Sequence, residues 1–191
     1  MPEGGDKRER LVDAAADLFW RAGYDATSLA AIAKAAGVPL GNVYYYFHAK
    51  VDLAAAVAEL FVAALSDALA EIDRSHDDAV DRLDAFFALL AAGAGDRTRY
   101  GCPIARLVRD LKQTAPGAAE RAGEVFVRME NWLAATMQAG GAPREAARSH
   151  SRIIIVTWQG AIVLAQARDD RSVLETMLAS QCDAAKAAVR L

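Results

Sequence analysis

Cysteine is nearly missing from this chain of 191 residues: only Cys102 and Cys182 occur, far apart and without metal-ligand spacing. That excludes a disulfide framework and a thiolate metal centre, and it suits a reducing cytoplasm. Histidine is almost as scarce. His48, His76 and His150 are scattered and read as surface or capping residues, so no metal and no cofactor is expected. Proline is rare, no alternation of β-branched residues marks a strand, and no internal repeat occurs, which leaves an alanine-rich chain that is helical throughout. The start is charged and carries no apolar run of the secretory kind, so a cytoplasmic location is expected. The most apolar stretch, Ile153 to Ala167, is interrupted by Thr157, Gln159 and Gly160 and falls short of the ~20 residues a bilayer span needs, so no membrane partner is expected. Paired carboxylates, a Ser/His/Asp set and a phosphate-binding glycine loop are lacking too, which argues against an enzyme.

An excess of basic charge is also absent. The net charge is −3. Residues 1–50 nevertheless hold six Lys/Arg against six Asp/Glu, while residues 51–191 hold sixteen against nineteen, so the acid lies outside the first quarter. A nucleic-acid partner would have to be held by oriented contacts and by dimerisation more than by bulk charge.

What the first quarter does contain is a corner between two short helices. Thr27 stands where an N-cap belongs, ahead of the apolar-periodic run Leu29, Ile32, Ala33 and Ala36. Ala33 is small enough for two helices to cross closely. Gly37 follows the last periodic residue, where a sharp exit needs positive φ. Val38 plugs the corner, Pro39 tolerates a new helix start, and Val43 returns to the core. Each position has its own steric reason, and together they spell a helix-turn-helix, whose second helix enters a DNA groove.

On that second helix, steps of ~100° per residue put Leu40, Val43 and Phe47 on one face and Gly41, Asn42 and Tyr45 on the other, with Tyr44 and Tyr46 flanking. Taken alone, the aromatic run Tyr44 to Phe47 reads as packing. Beside the Ala33, Gly37 and Val43 corner it reads as recognition, since three tyrosines cannot all be buried in so small a unit. Tyrosine and asparagine bond phosphates and base edges, and Gly41 lets the backbone approach. Lys50 is placed to reach a phosphate, and it would equally suit an ordinary surface. A helix-turn-helix also serves as a protein-docking module, the alternative from another class.

The stretch Arg10 to Leu53 resembles the DNA-binding domain of the TetR/AcrR family of one-component transcriptional regulators. The residues carrying the resemblance are Leu11, Ala14, Ala15, Leu18 and Phe19, the Gly23-Tyr24 pair followed by Thr27-Ser28, the Ile32-Ala33 to Gly37-Val38 corner, and Val43 to Phe47 leading to Lys50. It implies that Thr27, Tyr44 and Lys50 hold phosphates, with Ser28 beside them. Leu40, Gly41, Asn42, Tyr45 and Tyr46 would face the bases. Leu40 departs from the family pattern, where a polar or basic residue is frequent, and implies less polar readout at that point. The rest of the chain is similar to the family in length and helical layout.

The expected architecture is all-α: an N-terminal three-helix helix-turn-helix domain over residues 1–50 and a larger C-terminal helical bundle over 51–191 that binds an effector and dimerises. The spacing predicts helices from about Gly5 to Ala22, Val51 to Arg74, Asp77 to Leu90, Ala118 to Gln138, Arg144 to Arg168 and Arg171 to Val189. Asp96 to Tyr100 reads as a loop. Pro103 opens a short helix with Cys102 at its N-cap, and Pro116-Gly117 ends it. The helix through Ile153 to Ala167 is apolar nearly all round, so it needs cover on more than one face. An identical subunit is the simplest cover, with Ile154, Trp158, Ala161, Ile162, Ala165, Leu174 and Leu178 as the expected interface and a central place in the monomer core as the alternative.

Phe86, Phe87, Tyr100, Cys102, Phe126, Met129, Trp132 and Trp158 read either as plain core or, as the resemblance implies, as the lining of a pocket for a small apolar or amphipathic effector. Arg106, Arg109 and Arg128 would pair with an anionic ligand or with surface carboxylates. Cys102 sits where a helix dipole favours thiolate, so it is either a buried inert N-cap or an electrophile-sensing thiol. The expected function is a repressor on a pseudo-palindromic double-stranded DNA operator, bound as a homodimer and released by the effector.

Overall fold

A computed structural model describes residues 7–189, and among these it contains ten helices and no strand. They are α1 (Lys7–Arg21), α2 (Leu29–Ala36), α3 (Leu40–Tyr46), α4 (Lys50–Ser75), α5 (Ala79–Ala92), α6 (Ala94–Tyr100), α7 (Pro103–Leu111), α8 (Pro116–Ala139), α9 (Arg144–Arg168) and α10 (Arg171–Val189). The two residues expected to begin the first helix, Gly5 and Asp6, lie outside the described residues.

The chain divides into two compact units. One takes in the chain up to Ala64 together with Pro103–Glu124, and the other takes in Leu65–Cys102 and the chain from Val125 on. These units differ from the expected division after residue 50. The reason lies in the core: Leu11, Ile32, Val43, Leu53 and Val57 are fully buried in one cluster, which Leu107, Leu111 and Ala122 of α7 and α8 complete. Three short helices would expose much of that apolar surface, and α4, α7 and the first turns of α8 cover it. By length and composition α4 could cross a membrane. Its Leu53, Ala54, Val57 and Ala58 are instead wholly buried in this helical core.

The corner is built as the sequence predicts. Gly37 has φ 64° and ψ 35°, and the Val38 N–H donates to Ala33 O at 2.9 Å, closing the end of α2. A Cβ at Gly37 would meet nothing nearer than Arg10 Nη1 at 3.9 Å. Only backbone strain therefore opposes a side chain there, and Gly37→Ala is expected to destabilise the protein by about 1 kcal/mol. Thermal melting checks this, with a fall in Tm of roughly 2–4 °C for a chain of this size.

Three local expectations are corrected. The N-cap of α2 is Ser28, whose Oγ accepts from the Ala31 N–H at 3.1 Å, and not Thr27. Residues Asp96 to Tyr100 are helical in α6, held between the N-cap Gly93 and Gly101 at φ 79°, with Thr98 Oγ1 donating to Ala94 O at 2.9 Å. Pro116 does not end a helix: α7 stops at Leu111 and Pro116 opens α8, where a missing N–H leaves no bond unmade.

In the second unit, Leu83, Phe86, Leu133, Met137, Ile154, Trp158 and Leu174 are at most 1% exposed and form its centre. This overturns the expected dimer face. Ile154, Trp158, Ala161, Ile162, Ala165, Leu174 and Leu178 are all buried within their own subunit. What α9 leaves in solvent is the opposite stripe: Ile153, Val156, Val163 and Leu164, with the exposed Gly160 among them.

Candidate nucleic-acid interface

The site is assembled on α3. Val43 and Phe47 are buried and anchor the helix, and the Phe47 N–H closes its end on Val43 O at 2.8 Å. With those two fixed inward, the other face must point out. Leu40 is 43% exposed, Tyr44 53% and Tyr45 81%, while Gly41 is exposed and Asn42 half-buried. Leaving large aromatic and aliphatic side chains in water on so short a helix gains nothing for folding, so the arrangement suits a binding face. A Cβ at Gly41 would meet nothing within 4 Å, which keeps the start of α3 open to close approach. Leu40 thus lies on the outward side and not with Val43 and Phe47.

Tyr46 is held differently from Tyr45. It is half-buried against the core, and its ring meets that of Tyr45 edge-on, with centroids 5.0 Å apart and planes at 89°. Its ring thus packs on Tyr45 from the core side.

Two side chains expected to hold phosphates have partners within the protein. Thr27 is 3% exposed, and its hydroxyl donates to Gly23 O at 2.7 Å, so it faces inward and locks the turn before α2. Lys50 Nζ donates to Tyr24 O at 2.8 Å and to Thr27 O at 3.0 Å, and it lies 4.2 Å from the centre of the Tyr24 ring. Two of its three donors are therefore committed to the turn that carries α2. Burial, and then the Asp25 carboxylate, push the Tyr24 phenol above its ordinary pKa, so the ring stays neutral under the ammonium. Lys50→Met should lower stability by about 2 kcal/mol, because two carbonyls lose a charged donor. Comparing the slope of log affinity against log salt for wild type and variant tells a clamp from a phosphate ligand. The clamp predicts an unchanged slope, where loss of a phosphate contact would reduce it by about 1.

The remaining outward groups around α3 are polar or basic. Ser28 and Lys34 are exposed on α2, and Arg10 of α1 stands beside Gly37. Arg8 lies over the buried Phe47 ring at 5.3 Å. Arg10 and Lys34 were not singled out from the sequence; the basic cluster Lys7, Arg8 and Arg10 just ahead of the motif is the signal that points to them.

The candidate effector residues sit in the second unit. Phe86, Phe87, Met129 and Trp158 are buried, while Tyr100, Phe126 and Trp132 are half-buried. Phe86 stacks on Trp132 at 5.3 Å, and the Trp132 indole N–H reaches the Asp73 carboxylate at 3.1 Å. Cys102 is buried, with 6% of its surface exposed. Cys182 is shielded twice over, because burial and a bond to Asp84 at 3.2 Å push its thiol up to about 11. No group of His, Cys, Asp and Glu that could hold a metal ion occurs among the described residues.

A helix-turn-helix with a solvent-facing second helix, set in an all-helical chain with a separate bundle, defines a helix-turn-helix DNA-binding regulator. Residues 11–57 match the bacterial regulatory proteins of the tetR family, and residues 79–180 match the C-terminal domain of LmrA/YxaF-like transcriptional regulators. The chain belongs to the TetR family of bacterial regulatory proteins. It is 27% identical over 178 residues to the uncharacterised HTH-type transcriptional regulator YxaF of Bacillus subtilis, covering 91% of this chain and 92% of that protein. Among solved structures it superposes on a TetR transcriptional regulator from Legionella pneumophila with a TM-score of 0.82 at 22% identity, over 95% of this chain and 98% of that one. A TetR transcriptional regulator from Chloroflexus aurantiacus gives 0.78 at 26% identity, over 96% of each chain. The protein is a DNA-binding transcriptional regulator.

Proposed function

We propose that the chain is a cytoplasmic homodimeric repressor, without catalytic activity of its own, that a small apolar or amphipathic effector releases from its operator. The observation that carries the reading is the outward face of α3, where Tyr45 is the most exposed large side chain and is braced by Tyr46. One such helix reads half of a site. Two, related by a two-fold axis, read a pseudo-palindrome with half-sites ~34–36 Å or a multiple apart.

The second copy is the occupant proposed for the exposed stripe on α9. Val156 and Val163 are 63% and 64% exposed, and Gly160 between them lets two helices approach closely. An effector bound in the second unit would favour a subunit arrangement with the wrong half-site spacing. A coupling of ~1–3 kcal/mol changes operator affinity ~5–150-fold, which is enough for a switch.

The test is binding of the purified chain to double-stranded DNA, both random duplex and the region upstream of its own gene, over a range of salt. A regulator gives salt-dependent binding to any duplex and tighter binding to one. A protein-docking module gives neither.

A further inference from the structure

The second unit holds a guanidinium that lacks a counter-ion. Arg97 of α6 lies with its Cζ 5.4 Å from the centre of the Trp158 ring on α9, and its Nη1 donates to Leu90 O at the end of α5 at 3.2 Å. Its Nε is buried and unbonded, and so is the Nε1 of Trp158, a residue only 1% exposed. Arg97 makes no ion pair among the described residues, and its chain neighbour Asp96 points to solvent. Arg106 shares the unbonded Nε but has the Asp110 carboxylate at 3.8 Å as a counter-ion, and Arg109 also turns to Asp110. Burial holds the Arg97 guanidinium below its ordinary pKa, with Cys102 and Asp96 acting weakly the other way.

Such a group is anomalous on physical grounds. A cation taken out of water is normally met by a carboxylate, and a buried indole N–H normally finds an acceptor. Here two donors stand unmet at the contact of α6 with α9, and the chain makes room for one of them. A Cβ at Gly93 would collide with the guanidinium where it now lies, so a side chain there would displace it. Arg97 is half-buried as a residue, while its Nε and the Trp158 Nε1 are themselves buried, so a ligand would enter along the exposed part of the Arg97 side chain.

We propose that the effector carries an anionic head, a carboxylate or another oxyanion, on its apolar body, and that Arg97 Nε and Trp158 Nε1 receive that head. This rests on the effector reading above and names its chemical class. Arg97 is the binding residue for charge, and Trp158 supplies the second donor and an apolar wall.

The probes are 2-naphthoate and its neutral counterpart 2-naphthamide, titrated into the full-length protein and followed by tryptophan fluorescence and thermal melting. Wild type should bind the naphthoate at least about tenfold more tightly than the amide, the size of one hydrogen bond to a charged group. Arg97→Met should erase that ratio, and without probe it should melt no lower than wild type, because an uncompensated buried charge has been removed. Trp158→Phe should weaken naphthoate binding several-fold while keeping the preference over the amide. Equal affinities in wild type, no naphthoate binding, a ratio retained in Arg97→Met, or failure of that variant to fold would each overturn the proposal. Failure to fold would mean that the guanidinium is already compensated within the protein. A chain that binds naphthoate through Arg97 yet keeps its DNA in the presence of every small molecule tried retains this site and loses the release mechanism. One released by neutral compounds alone does the reverse.

Discussion

Tyr45→Ala is expected to abolish specific operator binding while leaving the fold and the dimer intact. The side chain is 81% exposed and rests on the edge of the Tyr46 ring, so its removal touches no core. Substitutions at such positions change stability by no more than about 0.5 kcal/mol. On DNA the situation is reversed. A side chain at the outward centre of a recognition helix contributes about 1–3 kcal/mol to discrimination, and a two-fold dimer loses that contribution twice. The combined effect is a loss of specific affinity of roughly 30-fold at least and up to about 10⁴-fold. Fluorescence anisotropy with operator and random duplex checks it: the specific curve should collapse onto the random one, with melting temperature and sedimentation unchanged. Unchanged specific binding would mean that another face of α3, or another element, reads the groove.

Val163→Glu should have the second large effect, through a different link of the chain. The side chain is 64% exposed in the single subunit, so the monomer tolerates a carboxylate there. In the proposed dimer the same position is covered by the second copy, and symmetry places two carboxylates in one apolar seam. Burying an unpaired charge costs about 3–5 kcal/mol, which raises the dimer dissociation constant at least a hundredfold. Sedimentation should show a folded monomer, and operator affinity should fall with it because one half-site remains. A stable Val163→Glu dimer would place the interface elsewhere.

How far the sequence reached depends on how local each cause is. The corner was readable because Ala33, Gly37, Val38 and Val43 each answer to a neighbour a few residues away, and the structure places all four as required. The cap of α2 was misplaced by one residue because Thr27 and Ser28 are both good caps. Gly23 O, four residues back, is what claims the Thr27 hydroxyl. The carbonyls that Lys50 meets could not be read locally for a similar reason at longer range, since they lie 26 and 23 positions earlier in the chain. The helix α6 was missed because Asp96 to Tyr100 carries no apolar stripe; its packing against α9 holds it in place. For α9 itself, periodicity finds two apolar faces and cannot rank them. Packing ranks them by size: Trp158 goes inside, and the valine stripe stays out.

Arg97 shows the same limit. In the sequence it is one of several charges in a polar stretch, indistinguishable from surface arginines. Only the folded chain reveals that Leu90 O, Gly93 and the Trp158 ring surround it.

The central claim is that the exposed tyrosine face of α3 reads duplex DNA as one half of a symmetric pair. The most direct measurement is selection of bound fragments from a random duplex library by the full-length protein. Enrichment of two inverted half-sites, centred about one helical turn or a multiple apart and lost with Tyr45→Ala, is the predicted result. A library that emerges without an enriched inverted repeat, or an identical enrichment by the Tyr45→Ala variant, would contradict it.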